Sequence, residues 1–113
     1  EKLDNINGEQ KGSFKFEKCP NLKTVADIKS PSLNLKINFN PQLKSVTNVS
    51  TGGLDLRNNE NLESLEKIRV HRANFEGIDF DKVQTRRLNV RKINTSDKEL
   101  LKTRKIGATQ RFN

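Results

Sequence analysis

Apolar and polar positions follow a motif that recurs three times along the chain, in residues 14–25, 35–46 and 54–65. Each copy reads apolar-x-apolar-x-x-(Asn or Cys)-x-x-Leu-x-x-apolar, and the copies start 21 and then 19 residues apart. Two apolar residues separated by one polar residue are typical of a short strand with one buried face. Self-similarity at this period predicts a solenoid of stacked coils, whose strands form a parallel sheet.

A polar residue recurs three positions after each predicted strand, where the chain turns and its backbone groups lose their sheet partners. Side-chain amides can bond such groups. We therefore expect Asn40 and Asn59 to form a ladder of amides along the stack, with Cys19 at the equivalent position of the first copy. A satisfied ladder in the interior explains how a chain with only 31% hydrophobic residues can fold.

The motif resembles the signature of leucine-rich repeats, L-x-x-L-x-L-x-x-(N/C)-x-L. Residues 40–46 and 59–65 look most like the turns of the receptor L-domain variety, and the likeness weakens between residues 70 and 93. The resemblance implies a β-rich solenoid of about four to five short coils, with one parallel sheet and a C-terminal helical cap. It also implies that residues pointing outward from the sheet carry recognition.

We expect a single domain over residues 1–113. Residues 1–13 form a partial repeat or N-terminal cap, because residues 3–6 repeat the pattern of residues 25–28, and the repeats occupy 14–93. Residues 94–113 form a basic cap and tail, in which Ser96 to Glu99 is a capping box that predicts a short helix. This opening and the absence of methionine favour a trimmed product, secreted or displayed on a surface, either monomeric or part of a larger chain.

The last strands are harder to assign, because the motif decays after residue 70. Residues 73–75 match a fourth strand, with Ile78 at the position of the ladder amide. Residues 87–90 match a fifth strand, with Ile93 at that position. Loss of the asparagine favours a final coil that no longer continues the stack.

Transferred position by position, the outward face is the candidate binding site for a protein partner. It combines both signs of charge at one end and becomes basic at the other. Phe39, which lies in a turn, is its candidate apolar anchor. The residues of this face are Lys15, Glu17, Lys36, Asn38, Asp55, Arg57, Arg72, Asn74, Glu76, Arg87, Asn89 and Arg91.

The net charge of +8 lies entirely in the last 32 residues, since residues 1–81 contain 12 basic and 12 acidic residues. Such a concentration predicts, as an alternative, contact with nucleic acid, an acidic protein or another anionic surface. Base stacking is not indicated, because only Phe112 is interleaved with these charges. The candidate residues are Arg86, Arg87, Arg91, Lys92, Lys102, Arg104 and Lys105.

The sequence offers little for chemistry, so we expect no enzyme activity, cofactor, metal site or membrane span. Its one cysteine, Cys19, and one histidine, His71, are about three coils apart, too far for a thiolate–imidazole pair. Gly52–Gly53 marks a turn before a strand. We therefore expect a non-enzymatic protein-interaction module, with polyanion binding or a structural segment of a larger repeat array as alternatives.

Overall fold

The computed structural model describes residues 2–8 and 11–94, and within them the chain is built from six strands. We number them in chain order. They are β1 (Lys2–Asn7), β2 (Gly12–Lys15), β3 (Thr24–Lys36), β4 (Ser45–Asp55), β5 (Ser64–Asn74) and β6 (Gln84–Asn94). The described part of the chain contains no helix. The helical cap expected after residue 94 lies outside the described residues.

All pairs of neighbouring strands are parallel, in the order β1-β3-β4-β5-β6. Strand β2 also pairs with β3, because β1 takes the first half of β3 and β2 takes the second half. Parallel neighbours in chain order require the chain to return to its starting side after each strand, so the strands wind as a solenoid of about four turns. The expected parallel-sheet solenoid is thereby confirmed.

The strands are longer than the motif predicted, because each one from β3 onward covers two sides of its coil. The two sides meet at a corner, which in β4 to β6 falls at Gly52, His71 and Arg91, where the strand pairing skips one residue. Before the corner, each strand also bends at one left-handed residue, with φ between 54° and 57°, and the pairing skips that residue too; these residues are Asp27, Asn48, Lys67 and Arg87. We call these four residues the bend row. A left-handed residue turns the chain sharply without ending the strand. The half before Leu35, Leu54 and Ala73 was not predicted as strand.

The core lies between the two sides of the coil and is made by inward residues that recur at the same position in every turn. Val25, Val46 and Leu65 are paired in register and are completely buried. The expected amide ladder is also present: Asn40 Oδ1 accepts from the backbone N–H of Cys19 at 2.9 Å, and Asn59 Oδ1 accepts from that of Asn40 at 2.9 Å.

The stack continues beyond the last ladder asparagine, contrary to expectation. Ile78 occupies the next ladder position, and its backbone N–H bonds the Phe75 carbonyl at 3.2 Å. The rings of Phe75 and Phe80 pack edge to face, with centroids 5.3 Å apart, and fill this part of the core. Apolar packing replaces the amide, and β6 pairs along β5 in the usual register.

Residues 87–90 lie in a strand, as predicted, but the position assigned to them in the repeat was wrong by five residues. In the structure Ala73 pairs with Ile93 and Ile68 pairs with Leu88, so Leu88 and Val90 belong to the half of β6 before the corner. Ile93 is therefore the equivalent of Leu54 and not a ladder residue. The alternation Leu88-x-Val90 imitates the motif because both halves of these strands bury every second residue.

Candidate binding faces

Strand β2 and the second halves of β3 to β6 present one continuous outward surface, which we call the polar sheet face. Strand register places its side chains in rows across the coils, with neighbours about 4.8 Å apart. One row contains Asn34, Gly53, Arg72 and Lys92; the next contains Lys15, Lys36, Asp55, Asn74 and Asn94. Backbone bonds such as Phe39 N to Arg57 O at 3.1 Å and Asn58 N to Glu76 O at 2.9 Å extend the register to a row of Glu17, Asn38, Arg57 and Glu76.

Several of the predicted contact residues are engaged with each other. Lys15 Nζ lies 3.2 Å from Glu17, and Arg57 holds Asp55 through both Nη2, at 3.0 Å, and Nε. The hydrogen bond that Arg57 donates to the Asp55 carboxylate is the first cause that raises the pKa of Arg57 above its ordinary value, followed by the negative charge of Asp55. These ion pairs neutralise most of the acidic groups of the polar sheet face internally.

Asn38, a predicted contact residue, is buried, so the described surface of the polar sheet face does not expose its side chain. It is only 2% exposed, although it lies in an outward row. Its Nδ2 donates to Asp55 Oδ2 at 3.4 Å, beneath the Asp55–Arg57 pair. The neighbouring charged side chains cover this short amide.

A depression of about 370 Å³ lies in the middle of the polar sheet face. Gly53 provides its floor because this position has no side chain, and a Cβ there would meet the amide oxygen of Asn34. Three basic residues, Lys36, Arg72 and Lys92, line it. The other polar lining residues are Ser13, Asn34, Asp55, Asn74 and Asn94.

The polar sheet face ends at a corner, where two consecutive residues of each coil point outward. At this corner Arg72 and Lys92 line the Gly53 depression, whereas His71 and Arg91 line a separate depression of about 580 Å³. We call the surface beyond the corner the second face. It carries the outward residues of the first strand halves, including Lys29, Ser50, Arg69 and Asn89, together with the bend row.

The position of the corner changes which residues of the fifth predicted strand lie on the polar sheet face. Arg87, Asn89 and Arg91 belong to the second face and not to the polar sheet face. Lys92 and Asn94 take their place, because they pair with Arg72 and Asn74. Sequence reasoning missed Asn34, Gly53 and Asn94, although counting 19 or 20 residues along the chain links them to Arg72 and Asn74.

The basic residues of β5 and β6 differ from those near the start of the chain, because they have no acidic partner. Strand β6 carries four basic residues and no acidic residue. Within the described ranges, none of the exposed Arg69, Arg72, Arg86, Arg87, Arg91 and Lys92 forms an ion pair. Lys102, Arg104 and Lys105, which were predicted to join them, lie outside the described residues.

The two candidate reactive residues lie apart. Cys19 follows β2, is half-buried, and directs its Sγ to the Glu17 carbonyl at 3.6 Å, whereas His71 is exposed on β5. Phe39, the expected anchor, is 42% exposed in the turn after β3. Over residues 2–8 and 11–94 there is no helix long and apolar enough to cross a membrane, and no group of three or more His, Cys, Asp or Glu residues is placed to hold a metal ion.

Comparison with protein-family models, with curated proteins and with solved structures finds no match to this chain. The two outward faces are therefore the candidate binding sites of the described residues. Of these, the polar sheet face has a depression with mixed donors and acceptors at its centre, and the second face has unpaired cations.

Proposed function

We propose that this chain is a non-enzymatic binding module and that a protein partner docks on the polar sheet face. The depression over Gly53 is the observation that carries the proposal. It combines a backbone floor with amide, carboxylate and cationic side chains, all held on paired strands. A partner that enters it contacts several coils at once, which favours recognition of an extended surface.

The scaffold supports this role because the contact side chains stand on strands rather than on loops. Each of β3 to β5 is paired on both edges, so the positions of Lys36, Asp55 and Asn74 are fixed relative to one another. Preorganised side chains lose less freedom when a partner binds. Arg57 further fixes the Asp55 carboxylate through two of its nitrogens.

Site-directed photo-crosslinking tests the proposal, with a benzophenone amino acid in place of Lys36 or Asn74. The same substitution at Lys29 provides a matched control, because Lys29 is exposed on the second face of the same coil. In an extract of the source cells, Lys36 and Asn74 should give one shared protein adduct that Lys29 does not give. The purified partner should then bind at least tenfold more weakly to the double variant K36E/R72E. Equal adducts at all three positions would reject the polar sheet face as the site.

A second candidate function is polyanion binding on the second face. The unpaired Arg86, Arg87 and Arg91 on β6 favour it, since they have no acidic neighbour within their strand. If it holds, duplex DNA binds at physiological salt with a steep salt dependence, as expected for several phosphate contacts. The double variant R86E/R87E should then remove binding, and K36E should leave it unchanged. Binding that disappears by about 150 mM salt would count against this candidate.

We further propose that the coils are of the leucine-rich type and that residues 94–113 contain a cap for the last coil. Asn40 and Asn59 support the repeat type, because they bond the backbone at the family's asparagine position. Leu88, Val90 and Ile93 favour the cap, since they are apolar residues of the last described strand. Deletion of residues 95–113 should then lower the melting temperature measured by circular dichroism. An unchanged melting temperature would contradict the cap.

A further inference from the structure

The depression over Gly53 has a cationic side formed by Arg72 and Lys92. These two residues are paired across β5 and β6, and both are exposed. Lys36, on β3, lines the same depression. Three cations around one small concavity create a positive potential that attracts a negatively charged group.

The one acidic residue that lines the depression does not cancel this potential. Asp55 is already bonded by Arg57, with Nε 3.0 Å from Oδ1 and Nη2 3.0 Å from Oδ2. The two charges of this pair offset each other. The charge that a ligand meets in the depression is therefore set by Lys36, Arg72 and Lys92.

Amide side chains complete the lining and offer both donors and acceptors. Asn34, Asn74 and Asn94 lie around the depression. The Asn74 Oδ1 accepts from the Glu76 backbone N–H at 3.1 Å, which turns the Asn74 NH₂ group into the available donor. An extended peptide also presents alternating N–H and C=O groups, so amides of this kind can bond its backbone.

We propose that the depression binds an extended acidic segment of a polypeptide, with Asp or Glu carboxylates on Arg72 and Lys92 and the peptide backbone on the asparagines. This inference rests on the proposed function, because it names the part of the protein partner that enters the polar sheet face. The contact is electrostatic, since Phe39 is the one large hydrophobic residue exposed among the described residues and it does not line the depression. Such a contact forms quickly and weakens with salt.

A peptide fits this lining better than a nucleic acid does. No aromatic side chain lines the depression, so unpaired bases have no surface on which to stack. Two cations that could bind phosphates, Arg69 and Arg91, lie on the second face and do not line the Gly53 depression.

The corner supplies matched control variants for the test. Arg91 and Lys92 are consecutive exposed cations on β6, yet only Lys92 lines the Gly53 depression. Arg72 and Arg69 form the same contrast on β5. We would titrate the full chain with a fluorescent decaglutamate peptide and measure anisotropy at 50 and 150 mM salt.

We expect R72E and K92E each to weaken decaglutamate binding about tenfold, since each replaces an attraction with a repulsion. The controls R69E and R91E should change it less than threefold. Equal losses in both pairs, or no binding by the unmodified chain at 50 mM salt, would overturn the inference. Tighter binding of duplex DNA with the same sensitivity to R72E and K92E would overturn it as well. If the cross-linked partner binds K92E normally, the inference fails while the proposed function stands.

Discussion

Asn59 is the residue on which the ladder of the described coils depends most. Its Oδ1 accepts from the Asn40 backbone N–H, and its Nδ2 donates to the carbonyls of Ile37, at 2.6 Å, and Leu56, at 2.8 Å. The side chain is 1% exposed, so water cannot replace these bonds. One amide therefore satisfies three buried backbone groups in two coils.

Replacing Asn59 with alanine should destabilise the fold by about 3 kcal/mol or more, because it leaves these three buried groups without a partner. Urea unfolding followed by circular dichroism measures the free energy of unfolding. Asn61→Ala is the control, since Asn61 is exposed and its Nδ2 bonds a single carbonyl, that of Pro41. It should cost less than about 1 kcal/mol. An equal loss of unfolding free energy in the two variants would show that the buried ladder amide stabilises the fold no more than an exposed amide does.

Each of the strands β3 to β6 contains one left-handed residue before the corner, and none of these residues is glycine. The bend row consists of Asp27, Asn48, Lys67 and Arg87. Aspartate and asparagine tolerate this conformation, and Asn48 Nδ2 also bonds Asp27 Oδ1 at 2.9 Å. Lys67 and Arg87 have no such advantage, so the last two bends are strained.

Lys67→Gly should stabilise the protein by about 0.5 kcal/mol or more, since glycine adopts positive φ without steric cost while losing some chain entropy. The matched change Lys29→Gly should destabilise by about 0.5–1 kcal/mol, because Lys29 lies in a regular part of β3. Thermal unfolding of both variants gives the comparison. A lower melting temperature for Lys67→Gly would contradict the strained bend.

At the scale of the whole molecule, the sequence predicted the winding of the chain better than its faces. The recurrence of Leu35, Leu54 and their equivalents indicated the solenoid, and Asn40 and Asn59 indicated the ladder, because both features repeat at a fixed period. The last two bends left no local signal, since Lys67 and Arg87 are residue types that rarely mark turns. The corner of β6 was missed for the same reason, because Arg91 and Lys92 are not turn residues either, and so the separation of these two cations was missed as well.

The residues of the candidate site were likewise predicted only where they follow from a periodic pattern. Outward positions such as Lys36, Arg72 and Asn74 followed from alternation along a strand. The burial of Asn38 did not, because it depends on the Asp55–Arg57 pair in the next coil. The depression over Gly53 depends on Lys92, two strands away. Alternation along the strand did not place Lys92 on the outward face, and the sequence listed it only as a candidate for polyanion binding.

Binding on the polar sheet face can be located by a ¹⁵N–¹H NMR titration of the labelled chain with decaglutamate, following side-chain NH₂ groups as well as backbone amides. We expect the largest shifts at the Gly53 amide and at the NH₂ groups of Asn34, Asn74 and Asn94, with Asn48 on the second face unchanged. Shifts confined to Asn48, Ser50 and Arg69 would place binding on the second face and rule out the polar sheet face as the binding site.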